Sequence, residues 1–223
     1  MSAHTPPPGP VTADDVLHVT HAAADLLTTA LDLDWRVPAG TLDWDCWETI
    51  EHVADDLFAY AGQLGPRRPP LDGHVPFGFE RRRPDGPALT IYGDPKYGNA
   101  GLVQVLEASG AFLAAMVRAT PAHVRAHHIF GAADPEGFAA MGVVETLVHL
   151  RDVAAGLGLD WRPDADLCAR VRHRLFPDAP TDTEPWPTLL WATGRGELPG
   201  RERRDRWRWH GAPAAERQPD PEA

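Results

Sequence analysis

The sequence is poor in cysteine and has no long uninterrupted hydrophobic run. Cys46 and Cys168 are its two cysteines, which is too few for a disulfide framework or a zinc site made of thiolates. No segment approaches about 18 consecutive apolar residues, and the N-terminus lacks the basic start and apolar run of a signal peptide. These absences predict a cytoplasmic protein without a membrane partner.

Lysine is almost missing, since Lys96 is the single one among 21 basic residues. The 32 acidic residues give the chain a formal net charge of -11. Nucleic-acid binders use a basic surface to displace counterions from phosphates, so this charge argues against a nucleic-acid partner. The composition indicates no particular oligomeric state.

The chain is long enough for one compact domain with a sizeable core, with 223 residues of which 43% are hydrophobic. The Pro-rich residues 1–11 and the polar residues 212–223 are predicted to be disordered ends. Residues 12–160 are predicted to form a helical domain. Residues 161–211 are predicted to be a C-terminal helical appendage with a short strand.

Apolar residues recur at helical spacing in four segments, and we predict a helix in each: residues 12–33, 45–64, 101–118 and 135–157. Thr12 and Asp45 each precede an acidic residue by three positions, as in a capping box. Asp134 precedes Pro135, which is a common start of a helix. Four long amphipathic helices predict an all-α fold, specifically a four-helix bundle.

The connection between the second and third predicted helices is long and rich in Pro and Gly. Two short runs, residues 75–82 and 88–92, flank the turn sequence Pro84-Asp85-Gly86. This arrangement predicts a β-hairpin insertion within a long crossover.

The segment after residue 160 predicts shorter elements. Helices are expected at about residues 164–175 and 183–193, and the alternation of Arg and Trp in residues 206–209 predicts an edge strand that buries Trp and exposes Arg. The alternative is that this Arg-rich region binds an acidic cofactor or substrate. Its arginines are Arg195, Arg201, Arg203, Arg204, Arg206 and Arg208.

A candidate metal site involves Glu145, His149 and His52. Glu145 and His149 are four residues apart, so on a helix their side chains leave the same face and could share one ligand. His52 lies off the apolar stripe of the second predicted helix, where a neighbouring helix could bring it to the same point. Imidazole and carboxylate suit zinc or another divalent ion, and three protein ligands leave one position open. The alternative is an ordinary hydrogen-bonded pair on a helix surface, with His52 a helix-face histidine.

Other polar side chains near these residues allow two interpretations. Asp152, three residues after His149, could hold the second imidazole nitrogen or be solvated. The same alternatives apply to Asp55 and Asp56 beside His52. Neither cysteine is predicted to be a nucleophile. Further residues have metal-compatible spacing without other support, and we interpret them as structural or solvated: His18, His21, Asp25, His123 and His127.

Two segments carry a resemblance to a known family. Residues 43–57 read DWDCWETIEHVADDL, close to the pattern gW-x-v-x-d-l-x-x-H-l, and residues 144–152 read VETLVHLRD, which has the form E-x-x-x-H-x-x-D. They resemble the two metal-ligand blocks of the mycothiol-dependent maleylpyruvate isomerase N-terminal domain superfamily, which is DinB-like. The C-terminal sequences LLWATGR, LPGR and WRW resemble the tails of actinobacterial relatives. The hairpin insertion and the cluster from His123 to His128 have no counterpart in the family pattern.

The resemblance implies a DinB-like four-helix bundle in which His52, Glu145 and His149 bind a divalent metal, with zinc foremost. It also implies an enzyme that uses mycothiol or a similar low-molecular-weight thiol for S-transfer to, or isomerisation of, an electrophilic small molecule. The three residues are then metal ligands, and no acid–base residue is assigned. We expect His21 and Arg208 to line the pocket above the metal. The alternative function is a non-catalytic metal-binding bundle that acts as a binding or accessory protein.

Overall fold

The computed structural model describes residues 8–217, and their fold is mainly helical with one small antiparallel sheet. The predicted helical class is confirmed at this level. Two 3-10 helices occupy Pro95–Tyr97 and Ala214–Glu216. The main elements are α1 (Ala13–Thr28), α2 (Cys46–Leu64), β1 (Glu80–Arg81), β2 (Ala88–Leu89), α3 (Gly98–Ala119), α4 (Pro135–Leu157), α5 (Ala165–Leu175) and α6 (Pro185–Ala192).

Residues 1–7 and 218–223, which belong to the predicted disordered ends, lie outside the described residues. The inner parts of both predicted ends are described and make contacts. The Val11 N–H donates to Glu136 at 3.3 Å, and Arg125 forms an ion pair with Glu216 at 2.6 Å. Packed chain therefore extends beyond residues 12–211 on both sides.

The helices begin where their capping signals predict. Thr12 and Asp45 form complete capping boxes at the starts of α1 and α2. Asp134 accepts the Gly137 N–H at 2.8 Å and so caps α4. The predicted end of the first helix was wrong, because α1 stops at Thr28. Beyond that point each bonded N–H reaches back three residues, as in the 3.1 Å bond from Leu33 to the Ala30 carbonyl, so the chain continues as turns.

Helices α1 to α4 pack against one another around a shared apolar core. Gly142 on α4 marks the closest approach: a Cβ there would lie 2.5 Å from Leu113 of α3 and 2.9 Å from Leu57 of α2. A glycine thus allows three helices to meet at this level, since a close-packed core leaves no room for another methyl group. Leu27, Ile50, Leu106, Met141 and Leu147 are among the fully buried core side chains.

One helical stretch, Pro95–Ala119, is long and apolar enough to cross a membrane by length and composition alone. Its main part, α3, packs against α1, α2 and α4. Leu102, Leu106 and Leu113 are fully buried in those contacts. A helix that belongs to the core of a helical domain has the same composition, so the stretch does not decide the protein's location.

The crossover between α2 and α3 contains the predicted hairpin in a shortened form. β1 pairs with β2 through Glu80 opposite Leu89 and Arg81 opposite Ala88. Asp55 of α2 accepts the backbone N–H groups of Thr90 and Ile91, both at 2.8 Å. This carboxylate therefore fixes the crossover to α2.

The predicted edge strand at residues 206–209 was wrong, because no strand forms there. Among residues 8–217 no neighbouring strand accepts the ladder bonds, and the segment instead packs against the loop before α4, where Trp209 contacts His128 and Phe130. It forms single hydrogen bonds in place of a ladder. Arg208 donates to the Phe130 carbonyl at 2.9 Å, and the His210 N–H, just after the segment, donates to the Leu175 carbonyl at 2.8 Å. The expected burial of tryptophan does occur, since Trp209 is 4% exposed.

Candidate metal centre

His52 and the pair Glu145 and His149 come together between α2 and α4. One candidate ligand atom from each lies within 4.8 Å of the others. The predicted pair is present, with His149 Nε2 3.2 Å from Glu145 Oε2. Donor atoms bound tetrahedrally to one ion at roughly 2.0 to 2.2 Å lie about 3.3 to 3.6 Å apart, so the most separated donor atoms would approach each other by up to about 1.5 Å around an ion.

The protonation states of His52 and Glu145 suit a divalent cation. Burial and, to a smaller extent, the nearby His149 lower the pKa of His52 to about 4, so the imidazole is neutral near pH 7. Burial raises the pKa of Glu145, but its hydrogen bond to His149 and the nearby positive charges outweigh burial and lower that pKa to about 2. A neutral imidazole and a carboxylate are the forms that bind metals.

Asp152 contacts the imidazole of His149 from the side opposite Glu145. Its Oδ2 lies 3.5 Å from His149 Nδ1, which directs Nε2 toward Glu145 and the cluster. Burial lowers the pKa of His149, but hydrogen bonds to Asp152 and Glu145 raise it above its ordinary value. This is the arrangement in which a carboxylate orients a ligating histidine.

Arg195 extends this network from the C-terminal part of the chain. Its Nε donates to Asp152 Oδ2 at 2.9 Å. Its Nη2 is 3.4 Å from both ring nitrogens of His149, so the guanidinium lies against the ring and is not directed at one nitrogen. The sequence places Arg195 in an Arg-rich region but gives no signal that this particular arginine reaches His149.

Two pockets open onto the cluster, and both contain His52, Glu145 and Trp207 in their walls. One has a volume of about 430 Å³, and we call it the Arg195 lobe. Its remaining lining residues are Leu42, Asp43, Trp44, His149 and Arg195. The other has a volume of about 400 Å³, and we call it the aromatic lobe. Its aromatic lining includes Tyr60, His128, Phe130, Phe138 and Trp209.

Trp44 covers the cluster on the side of the Arg195 lobe. Its ring centroid is 4.9 Å from that of His52 and 6.5 Å from that of His149. Trp44 precedes the cap of α2, and its Nε1–H donates to the Asp85 carbonyl at 3.1 Å. The crossover turn therefore holds this ring over the two histidines.

Neither residue predicted to line the pocket, His21 or Arg208, occurs among the described residues that line these two lobes. His21 is exposed on α1. Arg208 is directed to the Phe130 carbonyl. Trp207 lines both lobes and Trp209 lines the aromatic lobe, whereas the sequence predicted only Arg208, the residue between them.

The other polar residues beside the site have distinct positions. Asp56 lies 3.3 Å from His52 Nε2, whereas Asp55 binds the crossover. The first-helix residues His18, His21 and Asp25 are exposed, as is His123. His127 is half-buried and lines the aromatic lobe together with His74.

The Arg-rich region forms a third pocket of about 380 Å³ that shares Arg195 and Trp207 with the Arg195 lobe. Arg151, Arg203 and Arg204 line it as well. The alternative predicted from the sequence, in which these arginines bind an acidic ligand, stays a prediction, and this pocket is where such a ligand would bind.

The chain was compared with protein-family models, with curated proteins and with solved structures, and none of the three comparisons gave a match. The residues at the cluster and their geometry are therefore the basis for assigning a function.

Proposed function

We propose that this protein is a metal-dependent enzyme with a DinB-like four-helix bundle and that His52, Glu145 and His149 bind one divalent ion, zinc foremost. The observation that carries the proposal is the convergence of these three side chains where two pockets meet. The sequence blocks around His52 and Glu145 support the family assignment. The mutual packing of α1 to α4 agrees with a bundle.

The proposed reaction uses a low-molecular-weight thiol such as mycothiol. A bound divalent ion would lower the pKa of a coordinated thiol so that it is present as a thiolate at neutral pH. The chain's own residues position the groups around it. Asp152 holds the His149 ring, Arg195 holds Asp152, and Trp44 excludes water from one side of the histidines. S-transfer to an electrophile, or its isomerisation by addition and elimination, fits such a site.

Metal content tests the site directly. Wild-type protein is expected to bind about one divalent ion per chain, and His52→Ala and His149→Ala are each expected to bind less than about a tenth as much, because each variant lacks one of three ligands. His18→Ala is the matched control, since His18 is exposed on α1. Elemental analysis after dialysis gives the readout, and metal content equal to that of wild type in both cluster variants would refute the assignment.

The thiol is tested separately with the cobalt-substituted protein. Mycothiol is expected to produce a sulfur-to-cobalt charge-transfer band that is absent without thiol and absent in His52→Ala. No spectral change at millimolar thiol, in protein that holds cobalt, would contradict a thiol-using enzyme.

A second candidate is a non-catalytic metal-binding bundle with a binding or accessory role. The hydrogen bonds that Asp152, Glu145 and Arg195 already make around His149 favour it, because they form a closed polar network. Retained metal without any thiol response supports this second candidate over the enzyme.

A further inference from the structure

The aromatic lobe is built from rings that contact one another in series. Ring centroids are 5.7 Å apart between Tyr60 and Phe138, 5.5 Å between His128 and Trp209, and 5.5 Å between Phe130 and Trp209. These contacts join α2, α4, the loop before α4 and the C-terminal segment into one wall. Such a wall offers apolar contact area and stacking faces to a bound molecule.

The lobe contains no fixed positive charge, because none of its described lining residues is lysine or arginine. Its carboxyl groups belong to Asp56 and Glu145, and its histidines, apart from His52, are His74, His127 and His128. Burial lowers the pKa of His128 to about 4, so this side chain is neutral near pH 7. An anionic ligand would therefore find no lysine or arginine in this lobe to pair with its charge.

The Arg195 lobe differs in its polar lining, since Asp43 and Arg195 line it together with the residues of the cluster. A polar thiol of the mycothiol kind, with many hydroxyl groups, matches that lobe better than a wall of aromatic rings. The aromatic lobe thus suits an apolar ligand and the Arg195 lobe a polar one, and both lobes adjoin the same cluster.

We propose that the aromatic lobe binds the electrophilic substrate through a bulky, uncharged aromatic or apolar group, and that the Arg195 lobe is left to the thiol. This inference rests on the proposed function in one respect, because only an enzyme would have the bound molecule as its substrate. The binding preference itself follows from the lobe's lining alone. It defines a substrate class that differs from small charged acids.

A fluorescent probe tests the lobe without any turnover. N-Phenyl-1-naphthylamine, which is neutral and apolar, is expected to bind the wild-type protein with enhanced fluorescence. Ala59 lies on the same face of α2 as His52 and Asp56 and lines the lobe. Ala59→Leu fills part of the lobe and is expected to weaken probe binding at least tenfold.

The matched control is Ala111→Leu, because Ala111 is an exposed helical alanine on α3. It is expected to bind the probe as wild type does. Equal probe affinity in wild type, Ala59→Leu and Ala111→Leu would overturn the assignment of the lobe. Thermal unfolding of each variant establishes that the comparison is made on folded protein.

The charge preference is tested with a matched pair of competitors. 1-Naphthamide and 1-naphthoate have nearly the same shape but differ in charge. In metal-free protein, where no bound ion attracts the carboxylate, the amide is expected to displace the probe at least tenfold more effectively at neutral pH. Equal or better displacement by the carboxylate would overturn the preference for an uncharged group.

Failure of this inference and failure of the proposed function are distinguishable. Probe binding does not require a metal, and Ala59→Leu is expected to keep wild-type metal content because it removes no ligand. A cobalt–thiol band without probe binding overturns the aromatic lobe and leaves the enzyme proposal standing. Probe binding that Ala59→Leu weakens, without any thiol band, supports the lobe and counts against the thiol.

Discussion

Side chains on a short stretch of α2, residues 51–56, contact different partners. Glu51 accepts the Gly93 N–H at 3.0 Å and Asp55 accepts two N–H groups of the crossover, so both carboxyl groups are used for structure. His52 and Asp56 face the cluster instead. A helix therefore separates a structural face from a site-facing one within six consecutive residues, a distinction that residue type alone does not reveal.

The candidate site was predictable from sequence only in part. The spacing of Glu145 and His149 is local, so helical geometry predicts their contact. His52 lies far away along the chain: its position off the apolar stripe of the second helix allowed it to reach the site, and the resemblance of its sequence block to a known family singled it out as a ligand. Arg195 reaches Asp152 through a fold-dependent contact across 43 positions. No local rule predicts which of several arginines makes such a contact.

The two cysteines are expected to be unreactive in the folded protein. Burial, together with the charges of Asp45 and Asp34, raises the pKa of Cys46 to about 12. Burial, with the charge of Asp164, raises the pKa of Cys168 to about 12. At pH 8 only about one thiol in ten thousand is then ionised, so labelling with a disulfide reagent should be slow.

The measurement is the rate of reaction with 5,5′-dithiobis(2-nitrobenzoate) in buffer and in denaturant. Both thiols should react rapidly in the unfolded chain and at least about a hundredfold more slowly in the folded one. Rapid stoichiometric labelling of either cysteine in the native protein would contradict the predicted burial.

At the scale of elements, the predicted bounds of α2, α4 and α5 agree with the structure to within one residue, whereas the end of α1 was predicted five residues too late and the start of α3 three residues too late. The starts of α1, α2 and α4 depend on a side chain within three residues, which is a local interaction. The end of α1 and the missing strand at residues 206–209 depend on partners elsewhere in the fold. Alternating Arg and Trp indicates a strand only where another strand is available for pairing.

An ion pair between α1 and α5 predicts a pH-dependent contribution to stability. Arg170 donates from Nη1 and Nη2 to the two oxygens of Asp15, each at 2.7 Å. Burial raises the pKa of Asp15, but the bonds from Arg170 and Thr12 outweigh it and lower the pKa below its ordinary value. The stabilisation is therefore fully present above the unfolded-state pKa and is lost as the pH falls through the lowered folded-state value.

Arg170→Met is expected to reduce the free energy of unfolding at neutral pH by about 1.5–3 kcal/mol, because it breaks two hydrogen bonds to a charged group. The deficit should begin to shrink once the pH falls below the ordinary aspartate pKa of about 3.9 and should vanish as the pH falls through the lowered folded-state pKa of Asp15. Denaturant titrations across this range give the measurement. Arg162→Met is the control, expected to change stability by less than about 0.5 kcal/mol, since Arg162 and its partner Asp160 are exposed. A deficit independent of pH would exclude the ion pair as its source.

At the scale of the whole molecule, the helical class and the order of the long helices followed from the sequence, whereas the pockets did not. Hydrophobic periodicity reports which face of a helix is buried. It does not report where distant segments leave space between them. Trp207 and Trp209 line the aromatic lobe because the C-terminal segment packs against the loop before α4. This packing depends on contacts between residues that are distant in the sequence.

Arg174 anchors this C-terminal path. Its guanidinium donates to the carbonyls of His210, Gly211 and Ala212 at 2.8–3.1 Å and to Asp134 at 2.6 Å. Arg174→Met is expected to release the segment, so that amide hydrogen exchange of residues 207–212 becomes at least about tenfold faster. The amides of α2 and α3 are expected to keep their protection.

Hydrogen exchange resolved by mass spectrometry gives this measurement, with Arg206→Met as the control because Arg206 is exposed in the same segment. Unchanged exchange of residues 207–212 in Arg174→Met would show that the anchor lies elsewhere. Probe binding in the aromatic lobe should weaken together with the faster exchange, because Trp209 would no longer be held against His128.

The late position of Trp207 and Trp209 in the chain also affects the order of events during synthesis. The ribosome releases the helices that carry His52, Glu145 and His149 before it releases the segment that walls the aromatic lobe. The three side chains therefore meet while that side of the site is still open to the cytosol or to whichever compartment the nascent chain enters. If the cluster binds an ion as proposed, the ion could reach the three side chains from the side that the two tryptophans later cover, without an opening motion of the finished protein.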